Sequence, residues 1–357
     1  MKQAIKKLLR GALYAGLACL ALAGCDDRET VNIPTSKGTG PVKPTKVANV
    51  DDATPMLAVD YLTVQGGNCI VITTPSGKHM LIDAGPQGTE QSIIARLQEI
   101  GVQKLNWVIV STPDSEHIGS LEKLAAGMPF GEVYSAGYVT PILDRVMKAA
   151  HKTGPSSVLR AGSSFKLDEG ITLETLAPGE EDKMPSQASS EWLGNHALVF
   201  RIRYNKASLL FTGTIGREER QWMRAQATDM HANVVSGLRH GDKTVADVDF
   251  VHEITPQIGV YMCDIKNANG YPHRDALDAM TTTMTKLYRT DVQHGINLKV
   301  DAEGRFYVLA SRPATDHELA LAGNDIKRDL EDPKPVKLKN ITSDPDPLGA
   351  QNEDTGR

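Results

Sequence analysis

Two rhythms of apolar and polar positions interleave along the chain from about residue 56 onward. Short β-rich runs come first: Met56–Val64, Cys69–Thr74 and Met80–Asp83, the last two joined through "TPSGK" as a hairpin. The period then lengthens. Ile93, Leu97 and Ile100 share one helical face, behind a Thr89 cap and ahead of a Gly101 stop. Trp107–Val110 reads as a short buried strand, with the polar loop "STPDSEHIGS" (111–120) at its end. Thr140-Pro141 opens the next helix in cap-then-proline order. Phe165–Leu167 and Ile171–Leu176 flank "DEG", and Ala197–Tyr204 and Ser208–Thr212 flank "NKA", which makes two further hairpins. A strand over Asn233–Leu238, a helix around Val248–Ile254, a strand over Ile258–Cys263, a helix over Asp275–Tyr288 and a last strand over Phe306–Ala310 complete the pattern. Hairpins mixed with strand–helix units predict an α/β protein with mixed sheets covered by helices.

The ends of the chain break these rhythms. Basic residues (Lys2, Lys6, Lys7, Arg10) precede an apolar stretch from Gly11 to Ala23, the layout of an export signal rather than a membrane span. Leu22-Ala23-Gly24-Cys25 resembles the bacterial lipoprotein pattern. That resemblance implies cleavage of residues 1–24 and lipid on Cys25, which would tie the protein to a membrane of the cell envelope. Asp26 resembles a signal for retention in the inner membrane. Residues 25–55 are polar and rich in Pro, Gly and Thr, and read as a flexible tether. Residues 313–357 read as a charged, mostly disordered tail with one short helix before Asp332. Between them, residues 56–312 are a size that one domain can fill.

Charge narrows the classes of partner. Loss of residues 1–24 removes four basic residues and no acidic ones, which moves the formal net charge from −5 to −9. An acidic body matches polyanions poorly, because nonspecific nucleic-acid binding depends on Lys and Arg displacing counterions. Of four cysteines, only Cys69 and Cys263 remain for the folded body, each in an apolar run that favours a buried thiol, with a disulfide between them left open in an oxidising compartment.

Four polar segments follow predicted strands: 111–120, "FTGTIG" (211–216), "LRHGDKT" (238–244) and "NANGYPH" (267–273). Ligands in layered α/β folds bind off strand ends. With "LTVQGGNCIVITTPSGKHMLIDAG" ahead of them, these blocks resemble, in order, the metallo-β-lactamase superfamily, and in particular the extracytoplasmic domain of ComEC-type DNA-uptake proteins. The resemblance covers about Leu57–Ala310. It implies a four-layer αβ/βα sandwich with metal held by loops at one edge of two sheets.

The family's ligands are only partly present. Asp114 and His117 match its loop motif, Glu116 stands where an aspartate is usual, and Thr112 replaces the first histidine. Thr214 replaces a later aspartate, and Arg239 replaces the first histidine of a His-His-Gly pair whose His240 and Gly241 remain. Tyr271 replaces a histidine before the final proline, and His273 lies two residues on. Threonine and tyrosine hydroxyls are neutral at pH 7 and poor ligands for zinc-like ions. Loss of the aspartate at Thr214 removes the anionic bridge that two metals need. The leading expectation is therefore no cofactor, with Arg239 replacing the lost ion by pairing with Asp114 and Glu116 while Thr112, Thr214 and Tyr271 add neutral hydrogen bonds. The function that follows is a binding protein for a small ligand or an envelope partner. The alternative is a divergent phosphodiesterase or nuclease that holds one zinc or manganese ion on Asp114, Glu116, His117 and His240. Metal-free acid–base chemistry by His117 or His240 with Asp114 ranks below both. Asp83, in "LIDAG", is expected to support the loops, His196 to line the pocket at most, and Gly66-Gly67 to connect strands tightly.

Overall fold

The computed structural model describes residues 29–31, 45–46, 55–150, 157–179, 183–265 and 267–326. The signal, Cys25 and Asp26 lie outside these residues. Among the described residues, no helix is long and apolar enough to cross a membrane.

Two mixed sheets pack face to face, each with helices on its outer side. The first runs, in spatial order, Thr45–Lys46, Glu29–Val31, Phe306–Ala310, Ile296–Val300, Leu57–Tyr61, Ile70–Thr73, His79–Ile82, Leu105–Val110, Phe130–Ser135 and Ser157–Val158. The second runs Lys286–Arg289, Ile258–Tyr261, Val234–Ser236, Ala207–Phe211, Val199–Tyr204, Ile171–Ala177 and Ser164–Asp168. Strand alternation decides which side chains enter the space between sheets. Leu57, Val59, Ile70, Ile72, Leu298 and Val300 from the first sheet meet Leu173, Phe200, Ile202, Leu209 and Val260 from the second. Two further cores lie beneath the helices. Ile93, Leu97, Leu121, Leu124, Leu143 and Val146 cover the first sheet, and Met223, Phe250, Val251, Ile254, Leu277 and Met280 cover the second. Each hydrophobic surface thus finds a partner, and the layers are α, β, β, α.

Most predicted elements form. The helix at Thr140-Pro141 spans Pro141–Ala149, with the Leu143 N–H donating to Thr140 Oγ1. The structure also corrects the pattern in three places. Asp275–Tyr288 is not one helix: it stops at Thr282, and Lys286–Arg289 pairs in parallel with Ile258–Tyr261. Threonine side chains cause the break, since Thr281 and Thr283 donate back to Leu277 O and Ala279 O before Met284 turns left-handed at φ 57°. Within the segment read as tether, Glu29–Val31 pairs antiparallel with Phe306–Val308, and Thr45–Lys46 pairs with it in turn. Strand pairing uses backbone groups, so a polar edge strand leaves no apolar signature. Finally, the fold continues past 312: helix Asp316–Ala320 carries a capping box from Thr315 to Glu318, and Ile326 is buried. Cys69 and Cys263 are buried and unpaired.

Phe200 is fully buried between the sheets and stacks on Phe211 at 5.1 Å. Phe200→Ala is expected to lower unfolding free energy in urea by about 3–5 kcal/mol. Val139→Ser, at a position 58% exposed, is expected to change it by less than about 0.5 kcal/mol.

Candidate functional site

The site forms where four loops leave the same edge of the two sheets. Loop 111–120 follows strand Leu105–Val110 and is pinned from below by Asp83. That fully buried carboxylate accepts from Ser111 N–H at 2.8 Å and from Ser111 Oγ at 2.5 Å. Asp114 then caps the short helix Ser115–Ile118. Its Oδ1 accepts from the N–H groups of Glu116 and His117, both at 2.9 Å, and from His117 Nδ1–H at 2.6 Å. Gly67 allows the first hairpin to press on this loop, because a Cβ there would lie 1.9 Å from Glu116 O.

The facing loop is a left-handed turn. Gly237, Leu238, Arg239, His240 and Gly241 all have positive φ, between 45° and 101°. Three of these are not glycine, and left-handed conformation costs such residues roughly 1–2 kcal/mol each. Hydrogen bonds hold the turn. Leu238 N–H donates to Thr212 Oγ1 at 2.6 Å, Arg239 N–H to Gly213 O at 3.1 Å, and Cys263 Sγ–H to His240 O at 3.1 Å. His240 Nδ1–H donates to Met262 O at 2.7 Å. The turn sends His240 inward, where its ring lies 5.7 Å from that of His117 at 24° between planes. Thr112 and Thr214 complete the inner part, hydroxyl to hydroxyl at 2.6 Å.

Arg239 goes to the other side of the turn. Its Nε lies 3.6 Å from Asp242 Oδ2, and Tyr271 OH donates to the same oxygen at 3.0 Å. Gly194 lies beneath the guanidinium, where a Cβ would sit 3.1 Å from Nη1. His273 Nδ1 accepts from Lys243 N–H at 3.1 Å and lies 3.9 Å from Asp242. The site therefore has two ion-paired halves, Asp114–His117 inside and Asp242–Arg239 outside.

Charge differs sharply between the two imidazoles. Burial alone would lower the pKa of His117, but the Asp114 carboxylate, its hydrogen bond, and Asp83 raise it to about 9. Burial, and then the His117 charge, lower His240 to about 4. At pH 7 the first is a cation and the second is neutral. Burial opposes ionisation of Asp114 too, yet its pKa falls below the usual range because of His117 and the backbone N–H groups. Burial lifts Asp83 to about 6. Among the described residues, the Nε2 atoms of both histidines are buried without a hydrogen-bond partner.

These positions overturn the expected pairing of Arg239 with Asp114 and Glu116. Asp114 is taken by His117, and Arg239 by Asp242. The left-handed turn is the reason, since it gives the inward position to His240. Glu116 is exposed, and its backbone N–H is what it gives to the site. Thr112, Asp114, His117, Thr214 and His240 do converge; Tyr271, Arg239 and His273 form the outer half. His196 lies beside the rim, stacked on Trp192 at 3.9 Å with its Nδ1–H donating to Trp192 O. Asp242 went unnoticed in the sequence, although an acid three residues after Arg239 in "LRHGD" was a signal for an ion pair.

A catalytic zinc site uses three protein ligands, each histidine presenting one nitrogen while the other is held by an acceptor. His117 and His240 meet that second condition, with Nδ1 committed and Nε2 unpartnered. Among the described residues no third side chain is arranged with them: Asp114 is turned to His117 and two backbone groups through Oδ1, Glu116 is exposed, and the threonine hydroxyls bond each other. Among the described residues no group of three His, Cys, Asp or Glu side chains is arranged to hold a metal ion. The residues present do not fit the metal centre that the fold implies.

The profile of the metallo-beta-lactamase superfamily matches residues 62–246. ComE operon protein 3 of Bacillus subtilis (strain 168) is 23% identical over 255 residues, covering 65% of this chain and 32% of that protein. Competence protein ComA of Neisseria gonorrhoeae is 22% identical over 241 residues, covering 67% of this chain and 32% of its own length. The chain thus spans about a third of these relatives. Among solved structures, the metallo-beta-lactamase fold protein YhfI from Bacillus subtilis aligns with a TM-score of 0.44 at 10% identity, covering 65% of this chain and 96% of that one. Zn(2+)-bound PqqB from Methylobacterium extorquens aligns with a TM-score of 0.43 at 11% identity, covering 66% and 98%.

The His117 pair makes stability depend on pH in a defined direction. Its folded pKa is raised from 6.5 to about 9, so its contribution is complete below pH 6.5 and disappears as pH rises through about 9. His240 and Asp83 change mostly below that window, but burial raises the Cys69 and Cys263 thiols above their ordinary 9.0, so they also remove stability toward its upper end, in the parent and in any His117 variant alike. Between pH 6.5 and 9.5 the His117 pair is expected to account for roughly 2–4 kcal/mol of lost unfolding free energy. His117→Gln is expected to lose less than the parent over the same range, by roughly 2 kcal/mol or more. Equal losses in urea titrations of the two proteins would contradict the assignment.

Proposed function

The chain belongs to the metallo-beta-lactamase superfamily, and from that premise we propose that it is a binding protein of the bacterial cell envelope whose metal centre has been replaced by ion pairs. The observation that carries this reading is the pair of buried, unpartnered Nε2 atoms on His117 and His240. Protonated His117 offers a donor there. Neutral His240 has its proton on Nδ1, facing Met262 O, and so offers an acceptor. A donor and an acceptor side by side suit a ligand with an anionic oxygen next to a hydroxyl, as in a monoprotonated phosphoryl group. No nucleophile or metal-activated water is needed for this role. The export signal and Cys25 fit a lipid-anchored protein, with the ligand or an envelope partner met outside the cytoplasm.

A divergent single-metal hydrolase is the second reading. It is favoured by one observation: both Nδ1 atoms are held by acceptors, as second-sphere partners hold the ligands of metalloenzymes. It requires a third ligand to be recruited.

The two readings separate in equilibrium dialysis of the mature chain with zinc, manganese and inorganic phosphate. The expected outcome is phosphate binding that weakens at least about tenfold in His117→Gln, with zinc and manganese well below one equivalent and no turnover of a phosphodiester. Restoring the family's residues (Thr112→His, Thr214→Asp, Arg239→His, Tyr271→His) is expected to bring zinc uptake to one equivalent or more. Tightly held zinc in the unaltered protein, lost in His117→Ala together with diesterase activity, would establish the hydrolase instead.

A further inference from the structure

The outer half of the site rests on a segment far along the chain. Arg289 ends strand Lys286–Arg289 with its side chain shut off from solvent, ion-paired to Asp291 at 2.7 Å. Its Nη1 donates onward to Leu319 O at 2.8 Å and Leu321 O at 2.5 Å. Arg274 Nη1 donates to Ala320 O, between those two carbonyls, at 2.5 Å. The chain then runs against the loop that carries Tyr271. Gly323 N–H donates to Pro272 O at 3.0 Å, and a Cβ on Gly323 would lie 1.9 Å from Tyr271 O. Asn324 packs on Gly270, whose own Cβ would lie 2.6 Å from the Asn324 amide nitrogen. On the inner side, Asn267 brackets Tyr271, accepting from its N–H at 2.7 Å and donating to its carbonyl at 2.8 Å.

We infer that residues 313–326 form a strap that fixes Tyr271, and through its hydroxyl the Asp242–Arg239 half of the site, with Arg289 and Gly323 as positioning residues. The inference rests on the binding role proposed above and names what controls that site. Arg289 explains why the strap stays in place. A buried guanidinium whose carbonyl partners withdraw is left with unsatisfied donors, which is strongly unfavourable. Gly323 explains why the strap sets position rather than merely covering an edge: the two backbones approach too closely for any side chain. Tyr271 ties the strap to the ligand, because its hydroxyl shares Asp242 Oδ2 with Arg239, and its ring lies 6.0 Å from that of His240.

The test combines amide hydrogen exchange with calorimetric binding of inorganic phosphate, on the mature chain and three variants: Gly323→Ala, Arg274→Ala, and a chain ending at Ile326. Gly323→Ala is expected to speed exchange at 239–242 and 267–274 by about tenfold or more while 111–120 and the central strands stay protected, since local openings are distinct from global unfolding. Phosphate affinity is expected to fall severalfold in the same variant. Arg274→Ala, which removes an exposed donor and not the close contact, is expected to give the same pattern more weakly. The chain ending at Ile326 is expected to match the parent. Unchanged exchange at 267–274 in Gly323→Ala would overturn the strap, as would acceleration spread evenly over all strands. Exchange requires no ligand, so local loosening in a protein that ignores phosphate supports the strap and counts against the binding role alone.

Discussion

A half-buried carboxylate stays ionised only where positive charge and hydrogen-bond donors replace its lost hydration, and the inner half of this site is organised by how Asp114 meets that need. Metal would be one solution. Here the partner is the His117 imidazole, three residues along the same short helix, at 2.6 Å. The pair is self-reinforcing. The carboxylate holds the proton on the ring, and the charged ring, with two backbone N–H groups, holds the carboxylate ionised. It also reinforces the state of its neighbour, since burial first and then a cation whose ring lies 5.7 Å away keep His240 neutral. Arg239, the obvious cation in the sequence, works elsewhere, on Asp242.

The scaffold supports this chemistry by fixing backbone before side chains. Asp83 and Gly67 hold loop 111–120 from two directions. The left-handed turn at 237–241 is strained at three residues and over-determined by bonds from Thr212, Gly213 and Cys263. Strain of this kind persists where surrounding structure enforces it. Its result is to separate two adjacent residues, His240 inward and Arg239 outward. Tyr271, braced by Asn267 and by the segment after residue 313, closes the outer half.

Much of the architecture was legible because it is periodic. Hairpins around "DEG" and "NKA", the helix behind Thr140-Pro141 and the strand before "STPDSEHIGS" follow directly from spacing and turn residues. What escaped was set by the backbone. Short polar strands such as Glu29–Val31 and the edge strand Thr45–Lys46 pair through N–H and C=O groups that carry no pattern. The helix from Arg274 ended early because its threonines turned their hydroxyls onto the main chain. At the site, residue types pointed to the right neighbourhood, and Thr112, Asp114, His117, Thr214 and His240 do meet. The partner of Arg239 was misread because side-chain direction depends on φ at 237–241, where only the two glycines hint at left-handed backbone. The same limit hid Asp242 and the contact between Gly323 and Tyr271.

Whether a proton has taken the place of a metal can be observed at the ring itself. Nitrogen-15 NMR of the mature protein, labelled at histidine, reports the ionisation of His117 across pH, with His117→Gln to assign the signal. A ring that stays doubly protonated until about pH 9, beside a His240 that remains neutral down to about pH 4, is the result this account predicts. A His117 that titrates near its ordinary value of 6.5, or that shows nitrogen shifts of a metal-bound imidazole in protein purified without added metal, would contradict it.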